Sequence, residues 1–384
     1  MTTTREYDVV IAGSGPAGCA TAIGLARAGR RVLIVEKRRV ARARTGETLA
    51  PGAKRLATTL LGELDSTALP DWAAICRGNI SCWGNSAPAQ QDFDFNAYGN
   101  GLCVDRAGLD PALLAKAVKL GVELRNGCKL NVAGRDTRWT LALRSDEKTE
   151  MLSASYVVDA TGRAAALGTS LGLSQTRDDP LFSFAMLFDA SDEDRDGYTR
   201  IEACDYGWWY SNRLPSASGA QRLVVLHADQ GSNAAKTATR RDGFLSLLAQ
   251  TDLMRSTVSP ATAVGNVHGA PAGNATLDHI AMQGFLAVGD AAQAYDPLSS
   301  QGLDRALTSG ALAGHALTYA LSNPQDPRPY LAHYHQSLRQ HWAQYLIQHR
   351  TYYAMEPRWA NHPFWASRTS APTFSQPISA RDAL

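Results

Sequence analysis

The apolar run Tyr7–Ala12, Y-D-V-V-I-A, passes directly into Gly13-Ser14-Gly15-Pro16-Ala17-Gly18. A run apolar on both sides of the chain suits a strand covered on both faces, as in parallel sheets flanked by helices. The glycines lead into C-A-T-A-I-G-L-A-R-A-G, small and apolar at helical spacing, and then into R-V-L-I-V-E, a second strand that ends at Glu36. A lone G-x-G-x-x-G says little. Set between a strand and a helix, with an acid 18 positions after its last glycine, it predicts dinucleotide binding. Gly13 makes the tight turn, Gly15 lets backbone approach the pyrophosphate, and Gly18 lets helix and strand pack closely. Pro16 and Ala17 open the helix, whose free N–H groups and dipole face the phosphates, and Glu36 accepts hydrogen bonds from a ribose. Gly24 and Cys19 read as helix-packing residues.

With 384 residues the chain is long enough for about two to three structural units. Lys+Arg 38 against Asp+Glu 36 leaves a net charge of +2, too small a field to argue for nucleic acid. Lys37, Arg38, Arg39, Arg42 and Arg44 cluster after the second strand, where they would meet phosphate or a partner. The six cysteines show neither C-x-x-C nor zinc spacing and read as free thiols of a reducing compartment. The polar N-terminus leaves no room for a signal-peptide core, and no apolar stretch approaches the roughly 20 residues of a membrane span. The expectation is a cytoplasmic protein without nucleic-acid or membrane partners.

Three later motifs decide between nucleotides. Arg44-Thr45-Gly46-Glu47-Thr48-Leu49 follows the second strand, Val104-Asp105-Arg106-Ala107-Gly108-Leu109-Asp110 opens a helix, and Val157-Val158-Asp159-Ala160-Thr161-Gly162-Arg163 ends a strand. With the opening stretch they resemble the FAD-binding framework of aromatic hydroxylases, geranylgeranyl reductases and flavin-dependent tryptophan halogenases. That resemblance implies an α/β fold: a Rossmann-type FAD-binding domain, p-hydroxybenzoate hydroxylase-like, built from residues 1–75, 105–178 and 278–330. Into it is inserted a substrate-binding sheet domain of residues 76–104 and 179–277, both of strand-like alternation, and a helical segment 331–384 follows.

The resemblance also reads G-F-L-A-V-G-D-A-A-Q-A-Y-D-P-L-S-S-Q-G, residues 284–302. Asp290 would hold the ribityl chain. Pro297 fixes a second turn, and the free N–H groups near Gln301, Gly302 and Leu303 would point at the flavin ring, favouring the anionic reduced form. Arg106 is expected near the FAD phosphate or ribityl chain, and Arg44 and Glu47 near the passage from adenosine to flavin.

Tyr206-Gly207-Trp208-Trp209-Tyr210 places rings on both faces of a strand, so Trp208, Trp209 and Tyr210 are the substrate candidates. Tryptophan halogenases carry W-x-W-x-I-P here, against W-W-Y-S-N-R-L-P in this chain. Their lysine has no counterpart in C-R-G-N-I-S-C-W-G, and Ser299 stands at the glutamate of their P-L-E-S-T-G turn. The aromatic C-terminal helix, the double-Trp strand and the D-P-L-S-S-Q-G turn are similar to halogenase-like flavoproteins that modify tryptophan in the maturation of cysteine tryptophylquinone enzymes. His333, His335, His341 and His349 read as solvated helix residues rather than metal ligands.

The resemblance implies an FAD-dependent monooxygenase that uses O2, through a C4a-hydroperoxyflavin, to hydroxylate an electron-rich indole or phenol, either a small molecule or a tryptophan of a polypeptide precursor. Electrons would come from NAD(P)H or a separate flavin reductase. Glu47, Tyr210, His227 and Arg358 are the catalytic candidates. The rivals are a halogenase, a carbon–carbon double-bond reductase, an oxidase and a non-catalytic flavoprotein partner in enzyme maturation.

Overall fold

A computed structural model describes residues 5–39, 48–62, 69–190, 196–215 and 221–369. Val9, Val10 and Ile11 are buried on both faces, and their strand, Arg5–Ala12, is central to an eight-stranded sheet. It pairs in parallel with Thr149–Asp159 on one side and Val32–Glu36 on the other. Phe285–Ala287 adds in parallel beyond Thr149–Asp159, and Glu123–Asn126 beyond Val32–Glu36. The parallel order brings Ala12, Glu36, Asp159 and Ala287 to one edge, where the loops of a doubly wound sheet gather ligands.

The helices Pro16–Arg27 and Gly302–Ser322 lie against each other over this sheet. Glycine makes the approach close: the Gly24 and Gly314 backbones touch, and a Cβ on Gly310 would stand 2.3 Å from the Ala17 carbonyl oxygen. The starts of both helices therefore reach the same edge of the sheet.

A seven-stranded sheet runs in the order Ala263–Pro271, Leu181–Asp189, Gln221–Asp229, Gly207–Leu214, Tyr198–Cys204, Gly78–Cys82, Ala89–Asp92. One face packs Phe184, Met186, Phe188, Trp209, Val224 and Leu226 against Phe244 and Leu248 of a short helix. By the two-residue period, Ser183, Tyr210, Val225 and His227 face the other way. Gly101–Val104, read with the inserted sheet, instead joins Thr48–Leu49 and Ala73–Cys76 in a small antiparallel sheet. Its four residues are all buried, so it needs cover on both faces rather than an alternating pattern.

The 27-residue helix Arg328–Ala354 buries a stripe from Leu331 and Tyr334 to Tyr345, His349 and Tyr353. Its start holds the first sheet, where the Tyr334 hydroxyl donates to the Ala287 carbonyl, and its end reaches Trp208 of the second. A short helix, Pro363–Thr369, closes over that end. No helix among the described residues is long and apolar enough to cross a membrane.

Candidate active site

One cavity of about 260 Å³ lies between the two sheets. Gly15, Pro16 and Ala17 line it from the first helix, and Gly302 and Leu303 from the later one. Neither helix has a side-chain cap, Gly15 and Gln301 being the N-cap residues, so both present unsatisfied backbone donors to one space. A Cβ on Gly302 would meet nothing within 4 Å. Two uncapped helix starts and an open glycine fit an anionic dinucleotide with a flat ring system at its far end.

The surrounding side chains brace this cradle. Glu36 accepts hydrogen bonds from the Ser14 backbone N–H at 3.1 Å and hydroxyl at 2.8 Å, which fixes the glycine turn. Arg106 lines the cavity while paired to Asp110 one helical turn on, at 2.7 Å. Asp159 receives the Thr161 and Gly168 N–H groups and so shapes the strand end. Asp290 faces the cavity 3.8 Å from Arg163, whose guanidinium also donates to the carbonyls of Ala272, Gly273 and Tyr295. The Ser309 hydroxyl accepts from the Gly289 N–H, tying the Asp290 turn to the later helix. Asp296 caps the next turn by accepting from the Leu298 N–H, and Ser300 takes a left-handed backbone at φ 49°.

Across the cavity stand Thr48, Ser183, Tyr210, Val225 and His227. Thr48 and Tyr210 share a hydroxyl–hydroxyl hydrogen bond of 2.9 Å. His227 is buried and stacked on Trp208 at 3.8 Å between ring centres, and its Nδ1, itself covered, has no side-chain hydrogen-bond partner among the described residues. Burial, which penalises the charged ring, pushes its pKa down to about 3 despite the raising influence of Asp296, leaving a neutral imidazole at the cavity wall.

Several expected site residues sit elsewhere. Trp209 points away from the cavity into the core against Phe244, because it alternates with Trp208 and Tyr210 along the strand. Trp208 shares the cavity-side face but is covered by His227, Trp83 and Tyr353, so it backs the wall rather than lining it. Arg358 is bonded to Glu356 and lies over Trp359, beside a separate hollow lined by Cys82, Glu202 and Asp252. Lys37 is exposed, and Arg44 and Glu47 fall outside the described residues. Thr48, Ser183, Arg163 and Tyr295 line the cavity without having been singled out; Thr48 and Arg163 lie within two of the motifs quoted above.

His349 is not solvated. It is buried 3.0 Å from Asp296, which also accepts the Tyr353 hydroxyl at 2.8 Å. Burial alone would raise the Asp296 pKa, but the His349 hydrogen bond and charge outweigh it and hold the carboxyl below its ordinary value. Asp179, Asp296 and His349 bring their ligand atoms within 4.8 Å of one another, a grouping that could hold a cation. Arg368, bonded to Asp179 at 2.6 Å and to Asp229 at 2.5 Å, already supplies positive charge there.

This architecture, with two helix starts lining one cavity under a second sheet, is that of an FAD-dependent oxidoreductase. The family described as "FAD binding domain" matches residues 6–349, and the chain belongs to it. It is 28% identical to LodB of Marinomonas mediterranea over 377 residues, covering 95% of this chain and 97% of that one. Its fold is similar to that of the myxobacterial chondrochloren halogenase CndH, with a TM-score of 0.86 at 21% identity over 96% of this chain and 87% of the other. It is also similar to the peptidyl tryptophan dihydroxylase QhpG, with a TM-score of 0.75 at 24% identity, covering 98% and 81%.

Proposed function

We propose that the chain is an FAD-dependent monooxygenase acting on an electron-rich ring that carries its own hydrogen-bond donor, an indole N–H or a phenol O–H. The observation that carries this reading is the neutral imidazole of His227 in the cavity wall beside the Thr48–Tyr210 hydroxyl pair, opposite the two helix starts. A neutral imidazole or hydroxyl in that wall can accept from a donor on the bound ring, a hydrogen bond worth about 0.5–1.5 kcal/mol. Val225 and the Tyr210 ring supply apolar cover, while the Thr48–Tyr210 hydroxyl pair supplies a second polar contact.

Bound FAD would take electrons from NAD(P)H or a separate reductase and use O2 to deliver one oxygen atom to the ring. The chain's own work is to hold the ring with His227 and Tyr210, to exclude water with the sheet, and to orient the cofactor with Gly15, Asp290 and the Gly302 helix start. Halogen transfer is the less favoured reading, since no lysine is among the described residues lining the cavity. The substrate class follows QhpG, a peptidyl tryptophan dihydroxylase, and a tryptophan within a polypeptide is the first substrate to try.

The test is turnover of the FAD-loaded protein under 18-O2 with a tryptophan-containing peptide, free indole and a phenol. Product carrying the heavy oxygen supports the reading. Halide incorporation without oxygen transfer, or saturation of an added alkene, would replace it with a halogenase or a reductase.

A further inference from the structure

Behind the cavity wall two thiols meet. In the small sheet Cys103 stands opposite Ala74 on one side and opposite Thr48 on the other. Cys76, two residues beyond Ala74, is on the same face as Cys103. Both side chains are buried, on adjacent pairs of that face, Cys76 opposite Gly101 and Cys103 opposite Ala74. The Cys103 S–H donates to Asn212 Oδ1 at 3.0 Å, and a turn of the side chain would offer the same proton to Cys76. When it turns to Cys76, the bond stabilises that thiolate and lowers its pKa against the opposing effect of burial. Cys19, Cys82 and Cys204 are the contrast: burial raises all three. Asn212 continues the chain towards the ligand, donating to Thr48 at 3.3 Å, and Thr48 is bonded to Tyr210 in the cavity wall.

We propose that Cys76 and Cys103 form a dithiol that hydrogen peroxide closes to a disulfide, and that closing it disturbs the cavity through Asn212 and Thr48. The Cys76 sulfur attacks one peroxide oxygen and breaks the O–O bond, giving a sulfenic acid and, with the thiol proton, one water. The Cys103 sulfur then displaces hydroxide from the Cys76 sulfur, forming the S–S bond, and the departing hydroxide takes the second proton as water. The two thiols lose two electrons and the peroxide becomes two waters. Once linked, Cys103 no longer offers Asn212 a proton, and the support of the Thr48–Tyr210 pair changes. The source of peroxide inside the protein rests on the oxygen-using function proposed above, since reduced flavin releases it when transfer to a substrate fails.

Peroxide added to the purified full-length protein tests the site without relying on turnover. After denaturing alkylation and non-reducing digestion, mass spectrometry is expected to show one linked peptide pair, Cys76 with Cys103, lighter by two hydrogen atoms and removed by dithiothreitol. The other four cysteines should remain open to alkylation. In Cys103→Ser the link should vanish and Cys76 should be trapped as a sulfenic acid by dimedone. Separate sulfinic acids, both thiols still alkylated, or Cys103 linked to another cysteine would overturn the proposal. An FAD dissociation constant that is the same in linked and reduced protein would overturn the coupling to the cavity. None of these outcomes touches the oxygenase reading, and a product free of heavy oxygen would leave the linked peptide in place.

Discussion

Burial holds the His227 imidazole neutral down to about pH 3, whereas in the unfolded chain it takes up a proton below about 6.5. Its folded value is depressed, so the unfolded state binds more protons between these limits and stability falls as pH drops from about 6.5 towards 3. His227→Phe should therefore lose about 2 kcal/mol less than the parent on going from pH 7 to pH 5, read by urea denaturation at both values. The same substitution removes the acceptor for the substrate's donor. It should lower kcat/KM roughly 10- to 100-fold, and the parent profile should show no imidazole break near pH 6.5. An unchanged kcat/KM would remove His227 from the site. Asp290 differs because its proposed partner is the cofactor. Asp290→Ala should raise the FAD dissociation constant by roughly 10- to 100-fold, followed by flavin fluorescence, with little change in melting temperature.

At the scale of elements, the cradle depends on how closely two helices approach. Gly310 does not line the cavity, yet a methyl group there would meet the Ala17 carbonyl at 2.3 Å and the Ala20 Cβ at 2.9 Å. Gly310→Ala should push the Pro16–Arg27 helix aside, lowering the melting temperature and weakening FAD binding together; intact FAD affinity in a folded variant would argue against a shared cradle. The elements themselves were largely legible. The glycine turn, the two strands around it and the Gly302 helix start follow from local patterns strong enough to stand without tertiary information. The aromatic strand was legible in period but not in phase: alternation separates Trp209 from Tyr210, while only the position of the overlying helices shows which face is core. His349 was misread because a mostly polar helix carries its buried stripe at wide intervals, and the partner that desolvates it is Asp296, 53 positions away. Arg358 stands apart from the cavity for a related reason, its guanidinium being paired with Glu356 at a separate hollow.

For the whole molecule, the helix Arg328–Ala354 and the turn at Asp296 tie the cofactor sheet to the substrate sheet. Asp296 is 1% exposed and receives His349 and Tyr353, while Tyr353 accepts from Trp208, the residue stacked behind His227. The turn at Asp296 and the wall at His227 are thus joined by a buried chain of hydrogen bonds that ends in a ring stack. A hydrogen bond to a charged group is worth about 1.5–3 kcal/mol, and Asp296→Asn removes the charge that its buried partners His349 and Tyr353 face. Asp296→Asn should destabilise the protein by roughly that amount at pH 7. The depressed folded pKa of Asp296 adds a pH signature: its stabilisation is present above the unfolded value near 3.8 and is lost as pH falls through the lower folded one. The difference between parent and variant in urea should therefore shrink only below about pH 4. If the wall and the turn are mechanically joined, Asp296→Asn should also raise KM for the aromatic substrate, although Asp296 does not line the cavity. A variant that is less stable but keeps its KM would reduce the tie to a structural brace and leave the two halves of the site independent.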